Sequence, residues 1–409
     1  MSSEAVTAPR PSKETPSYAG FLKNNMREYG MLISLIAIML FFQWATEGRL
    51  FQPDNLTNIV QQRGYIVVMA LGMLLIIVAG HIDLSVGWLC GFLGAVAAIL
   101  MVDLSIPWYV AVVLTLIAGG VVGAVQGAAV AYLRIPSFIV TLAGMLTFRG
   151  LTLYVLGGRN VGPFPNELST LLTGFFPEQI GRIKDPILGG DATISSTSLI
   201  LGLAVVGAML ASAFTARAKQ AKNGMITEPF FFFAGKTVAI AAMLAYLAYL
   251  FATYKGLPNV LVIMGLLIAL YSFLTTRTTT GRRIYALGGN EKAARLSGIN
   301  TERLVFLAFV NMGVLSALAG MMAATRLGWA TPKTGDGFEL DVIAACFIGG
   351  ASASGGVGTV LGAVIGAFIM GVMNNGMSMM GLGIDYQFII KGLVLFLAVF
   401  VDVYNKNKA

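Results

Sequence analysis

Charge is scarce in this chain of 409 residues. Only 11% are Asp, Glu, Lys or Arg, against roughly 25% in a soluble globular domain. His81 is the only histidine, and Cys90 and Cys346 are the only cysteines. Both cysteines lie in apolar stretches without CxxC spacing, so neither a disulfide framework nor a metal centre is indicated. One histidine, with acids mostly at segment boundaries, offers no paired carboxylates and no nucleophile with its base. No catalytic residue, cofactor site or metal site is expected. Nor is there a nucleotide loop: Phe233-Ala234-Gly235-Lys236-Thr237 ends like one, but Phe230 stands where its first glycine belongs. The sequon Asn55-Leu56-Thr57 is too short a pattern to indicate a secretory route.

What is abundant is hydrocarbon. Hydrophobic residues make up 57% of the chain and mean hydropathy is +0.80. They fall in runs of about twenty, long enough to cross roughly 30 Å of lipid as helices. Windows of that length predict crossings near 31–47, 61–80, 84–101, 108–132, 138–157, 197–216, 236–254, 258–276, 304–324 and 385–403. Between the last two lies a Gly-rich apolar stretch, 340–373, interrupted by Gly349-Gly350-Ala351-Ser352-Ala353-Ser354-Gly355-Gly356. The expected fold is all-α: a polytopic membrane protein of about ten transmembrane helices plus this Gly-rich element, either two short spans or a re-entrant hairpin.

A net charge of +8 invites a nucleic-acid reading, but the cations sit between apolar runs and form no basic face with interleaved aromatics. Positive-inside topology explains them better. With the N-terminus inside, Arg134, Arg217, Lys219, Lys222, Arg277, Arg282, Arg283, Lys292, Arg295 and Arg303 all fall on the cytoplasmic side. Residues 1–30, rich in Pro, Ser, Glu and Lys, read as a disordered cytoplasmic tail without a cleavable signal, and 405–409 as a second cytoplasmic tail. Between them, 31–404 forms the transmembrane domain. It carries an acidic periplasmic loop (158–196), a cytoplasmic insertion (217–235) and a cytoplasmic loop (277–303). This is the pattern of a multi-pass protein of the bacterial inner membrane, in contact with lipid.

The 49 glycines suit close helix packing. The hexad Gly-Ala-Val-x-Gly-Ala occurs at 123–128 and again at 362–367, which suggests an internal duplication or follows simply from a Gly/Ala-rich composition.

Neutral polar groups mark a candidate pathway. The stretch Gly80-His81-Ile82-Asp83-Leu84-Ser85-Val86-Gly87 breaks two apolar runs. Asp83 and Ser85 there read either as a cap on the next helix or as part of a gate. Gln126, Ser352, Ser354, Asn374, Asn375 and Gln387 offer donors and acceptors that suit an uncharged polyol. Interhelical hydrogen bonding, at roughly 0.6 kcal/mol per contact, is the plainer alternative. Arg149 and Lys391 fall inside predicted spans, where charge is expensive; Asp341 and Asp83 are the candidate partners. In the 277–303 loop, Asn290 is placed to cap a short helix ending near Gly298. Such a helix could be a solvated turn or the contact for a soluble partner.

Four stretches in order, GHIDLSVG at 80–87, GGNEKAARLSGI at 288–299, ELDVIAACFIGGASASGGVGTVLGA at 339–363 and GVMNNGMS at 371–378, resemble the permease subunits of bacterial monosaccharide ABC importers. The likeness runs over nearly the whole chain and is strongest to the xylose or multiple-monosaccharide branch; the 217–235 insertion also resembles that branch. His81 departs from the glycine usual in that family.

The resemblance implies a permease homodimer moving monosaccharides inward by alternating access. It also implies a separate cytoplasmic ATP-binding subunit and a periplasmic sugar-binding protein. The ATPase contact would fall on Gly289, Asn290, Glu291, Ala294, Ser297 and Gly298. The rivals are a branched-chain amino-acid permease of related architecture and a secondary transporter driven by an ion gradient, which would need several acids near the midplane.

Overall fold

The computed structural model describes residues 26–408 apart from 186, 188–191 and 224–228. Its helices are α1 (Met26–Ala45), α2 (Pro53–Val78), α3 (Val86–Ala98, continued by a π-turn, Ile99–Asp103), α4 (Trp108–Ala131), α5 (Ser137–Leu156), α6 (Asn166–Thr173), α7 (Ser196–Lys222), α8 (Phe230–Thr253), α9 (Asn259–Arg277), α10 (Thr279–Gly289), α11 (Glu291–Leu296), α12 (Thr301–Leu327), α13 (Phe338–Ile348), α14 (Val360–Met379) and α15 (Ile384–Lys408). A short antiparallel ribbon, β1 (Arg182–Lys184) with β2 (Thr193–Ser195), interrupts the otherwise helical chain.

Local chemistry sets many of the boundaries. Pro107, Pro136, Pro165, Pro229 and Pro258 each stand immediately before a helix, where the missing N–H costs nothing and φ is already suitable. Asn290, Asn300 and Thr359 cap α11, α12 and α14 through their side chains.

Among the described residues, ten helices are long and apolar enough to cross a membrane. The composition of that ten differs from expectation. Over the described residues of α1 the apolar segment is Ile33–Ala45, shorter than the ten candidate spans, whereas α14 is a full candidate span. The Gly-rich stretch is therefore one short helix and one long one. The 11 residues of α13 reach roughly 16 Å at 1.5 Å per residue, half a hydrocarbon core. The expected insertion at 217–235 is mostly helix, because α7 runs on to Lys222 and α8 begins at Phe230. Residues 1–25 of the expected N-terminal tail and 224–228 of the insertion lie outside the described residues. So do Asp191 of the acidic loop and the last residue, 409, of the C-terminal tail, whose other residues belong to α15.

The core is α2, α12 and α14, the most enclosed of the candidate spans together with α3, while α7, α8 and α15 lie at the periphery. Glycine lets backbones touch. A Cβ on Gly119 of α4 would overlap the carbonyl oxygen of Gly313 on α12, and one on Gly313 would overlap that of Gly119. Both hexads serve this purpose: Gly123 and Gly127 lie against Phe309 and Phe306 of α12, while Gly362 and Gly366 lie against Gly349 and Ala345 of the α13 arm.

The two ends of the bundle differ. At one, the 158–196 segment joins the start of α2 and the end of α12: Gln61 Nε2 donates to Thr173 O at 2.8 Å, and Val161 bridges to Ala330. At the other end lie α10, α11 and the C-terminus of α2. The first end is stiffened by Glu178, which accepts hydrogen bonds from the hydroxyls of Ser195 and Thr197 and from Thr197 N. Those hydroxyls, Ser195 first, pull its carboxyl down from an ordinary 4.5 to about 2.

A depressed carboxylate stabilises the fold above its unfolded pKa and loses that effect as pH falls through the folded one. The wild type's advantage over Glu178→Gln in thermal unfolding is therefore expected to be full at pH 7 and nearly full at pH 5. It should shrink only below 4.5, toward about 2.

Candidate functional site

Six of the seven pathway candidates fall into three places, and Asn375 lies apart from them. In the first, the chain leaves α2 through Gly80, whose φ of +87° is a conformation glycine adopts freely, and runs extended before α3. His81 is absent from the residues with positive φ, so its departure from glycine carries no backbone strain. Asp83 Oδ1 accepts from Ser85 N at 2.8 Å and from Ser85 Oγ at 2.6 Å, and Gln126 Nε2 of α4 donates to Ser85 Oγ at 2.9 Å. Asp83 thus folds the turn that starts α3, and Gln126 ties that turn to α4. Burial pushes the Asp83 carboxyl above its ordinary value, against the pull of Ser85. Its Oδ2 is buried without a partner among the described residues. Arg149 does not reach it: its guanidinium lies over the Trp88 ring, 5.1 Å from the centroid.

The second place centres on Asp341 in the first turn of α13, 2% exposed. Lys391 Nζ of α15 lies 2.9 Å from Oδ1, Arg63 Nη1 of α2 lies 3.6 Å from Oδ2, and Asn374 Nδ2 of α14 donates to Oδ2 at 3.0 Å. The pairing of Lys391 with Asp341 matches the sequence expectation. Two cations facing one carboxylate do not, because Arg63 drew no attention in the sequence; a single arginine inside a long apolar window was the available signal. Asn375 points elsewhere, exchanging amide hydrogen bonds of 3.0 and 3.1 Å with Asn55 at the start of α2. Gln387 also lies apart, donating to Ser378 Oγ and Leu382 O.

The third place is the loop between α13 and α14, at the opposite end from Asn375. Ser352 Oγ donates to Asp402 Oδ2 at 2.9 Å and lies 3.0 Å from Ser354 Oγ. The two serines are therefore tied to the end of α15, far along the chain direction from the Asp341 cluster. Proximity in sequence to the Gly-rich element suggested a single polar track; the helical rise of α13 and α14 separates its members.

Residues 289–298 form the short helix expected of them. Asn290 Oδ1 accepts from Ala293 N at 3.0 Å, and Gly298 (φ +78°) ends the turn. Arg295 bridges Glu291 at 3.2 Å and Glu302 at 2.9 Å. Below the helix a cleft of about 580 Å³ is lined by His81, Arg134, Glu291, Lys292, Arg295 and Glu302. Ala294 is only 4% exposed, so its side chain is not on the outer surface. The outer apolar residue is Leu296, 89% exposed, which the capping pattern of Asn290 and Gly298 does not mark. Ser297 Oγ is spent on Ala293 O.

Removing one member of a buried ion pair costs roughly 3–5 kcal/mol, because its partner is left charged and unpaired. Asp341→Asn is expected to destabilise the detergent-solubilised protein by about that amount in denaturant unfolding. Adding Lys391→Met to it should recover part of the loss.

The family model described as "Branched-chain amino acid transport system / permease component" matches residues 55–399. The chain is 40% identical over 392 residues to the xylose transport system permease protein XylH of Escherichia coli (strain K12), covering 96% of this chain and 95% of that protein. It is 39% identical to XylH of Haemophilus influenzae, covering 94% and 98%, and 33% identical to the ribose import permease protein RbsC of E. coli (strain K12), covering 95% and 97%. No solved structure matches. With a family match over most of its length and ten helices fit to span a lipid bilayer, the chain belongs to this family of transport-system permease components: it is a multi-pass inner-membrane permease subunit and not an enzyme.

Proposed function

We propose that the chain is the membrane channel of an ATP-driven importer that brings xylose-like pentoses or mixed aldoses from periplasm to cytoplasm. The observation that carries this reading is the end-to-end likeness to xylose permeases, at 40% identity over 96% of the chain. The family label names branched-chain amino acids, but the relatives named above transport xylose and import ribose. The Ser85 hydroxyl and the Gln126 and Asn374 amides favour an uncharged polyol, and the Asp341 charges are already engaged with one another. That same engagement leaves Asp341 unavailable to an ion-driven carrier, which needs acids free to bind and release the ion.

In this reading the 158–196 end faces the periplasm and receives a sugar-loaded binding protein, and the 277–303 end faces the cytoplasm. Two copies of the chain pack around the path and alternate its access. Each places α11 against an ATP-binding subunit, with Leu296 as the apolar anchor and Glu291, Asn290, Ser297 and Gly298 around it. An exposed leucine on a capped, charge-braced helix suits a groove on a soluble partner. The hydroxyls of Ser352 and Ser354 and the amides of Asn374 and Asn375 serve successive stages of the path rather than one binding pocket.

Tagged protein purified from its native membrane is expected to bring an ATPase subunit with it, and that ATPase to respond to a xylose-loaded binding protein. Leucine-loaded binding protein should give no response. A lone protein, free of ATPase across several mild detergents, would favour a gradient-driven carrier instead. Glu291→Lys with Leu296→Asp is expected to cost at least about tenfold in co-purified ATPase, since a truncated interface anchor typically costs 2 kcal/mol or more; wild-type retention would sink the docking surface.

A further inference from the structure

Residues 349–359, between α13 and α14, touch α2, α10 and α15 at once. Gly356 N donates to Val78 O, at the end of α2, at 2.9 Å. Tyr285 Oη of α10 donates to Gly358 O at 2.8 Å. Asp402 of α15 accepts from Ser352 Oγ at 2.9 Å and from Ala353 N at 3.2 Å. Side chains are excluded from the centre of this junction. A Cβ on Gly288 would overlap Val78 O and lie 2.5 Å from Gly356 N, and one on Gly355 would lie 2.9 Å from Gly288 O. Gly356 also holds a φ of +73°, which other residues resist.

The same four helices meet again at their far ends. Asp341 of α13, Asn374 of α14, Lys391 of α15 and Arg63 of α2 converge on one carboxylate. Lys391 and Asp402 are about three turns apart on α15, so both pins sit on one face of a helix whose described residues 384–404 include none that is buried. The frame is tied twice, and α10 is tied to only one of its ends.

Given the reading of residues 289–298 as the ATPase contact, on which this rests, we infer that residues 350–358, with Tyr285 and Gly288, are positioning residues. They carry a displacement of α10 and α11 into α2, α13, α14 and α15 as one unit. The physical reason is the lack of slack. A side-chain contact alone absorbs a small shift by changing rotamer, whereas backbone packed on backbone, kept in register here by the Tyr285 and Asp402 hydrogen bonds, passes it on, and packed elements shift between discrete arrangements rather than deforming continuously. The far pin at Asp341 then moves with the coupling end instead of lagging behind it.

Complexes of the permease with its ATPase are reconstituted in liposomes and supplied with sugar-loaded binding protein. The readouts are sugar taken up per ATP hydrolysed and the amount of ATPase retained. Tyr285→Phe removes only the bond to Gly358. It is expected to lower uptake per ATP about fivefold, the lower range of an ordinary coupling free energy, with ATPase retention unchanged. Gly288→Ala should lower it further; should that variant fail to assemble, Asp402→Ala tests the same loop from its α15 side. Unchanged uptake per ATP in both Tyr285→Phe and Asp402→Ala overturns the relay, as does a loss confined to ATPase retention. A wild-type complex that neither retains ATPase nor responds to loaded binding protein overturns the importer reading itself, before any variant is compared.

Discussion

A membrane interior gives helices no hydrophobic reason to associate, because lipid is as apolar as leucine. This bundle therefore depends on how closely its backbones approach. The contacts of α4 with α12 through Gly119, Gly123 and Gly313, and of α14 with the α13 arm through Gly362 and Gly366, leave no room for a Cβ. Everything polar is arranged around them. Dispersion and weak backbone interactions over such surfaces are individually small and collectively sufficient, and they are destroyed by a single methyl group where a carbonyl already fills the space.

Onto that apolar packing the chain adds a few polar pins, each at a place where packing alone is weak. The peripheral α15 is held by Lys391 to Asp341 and by Asp402 to the 349–359 loop. The turn before α3 is held by Asp83 to Ser85 and by Ser85 to Gln126. In water such interactions are worth little; away from water their loss leaves an unsatisfied group with no alternative partner. The pins therefore define which surfaces stay together when the rest of the bundle shifts.

The distribution of pins also makes the two ends of the molecule unlike. The 158–196 end is tied by hydroxyl and backbone bonds around Glu178 and offers a stiff platform. At the opposite end the short helix α11 stands out on a cleft with an exposed leucine, joined to the bundle through glycines. On the proposed reading, the stiff end would receive the loaded binding protein and the end carrying α11 would receive the ATPase.

Much of this was legible in the residues. Apolar run length located nine of the ten candidate spans, because crossing hydrocarbon demands about twenty apolar residues wherever they occur. Asn290 and Gly298 marked the bounds of α11, because capping is local chemistry, and the partnership of Lys391 with Asp341 followed from the cost of an unpaired charge in a span. Other features depend on which helix meets which, and no local pattern encodes that. The convergence of Arg63 on Asp341, the separation of Ser352 from Asn374, the burial of Ala294 and the exposure of Leu296 are all of this kind. The sequence by itself determined that the chain lives in a membrane and where most of its spans lie, since those follow from transfer free energy and from backbone bonding within a few residues. Only the tertiary structure decided which polar groups share a site, because a helix of twenty residues carries neighbours in sequence roughly 30 Å apart and brings together residues separated by hundreds.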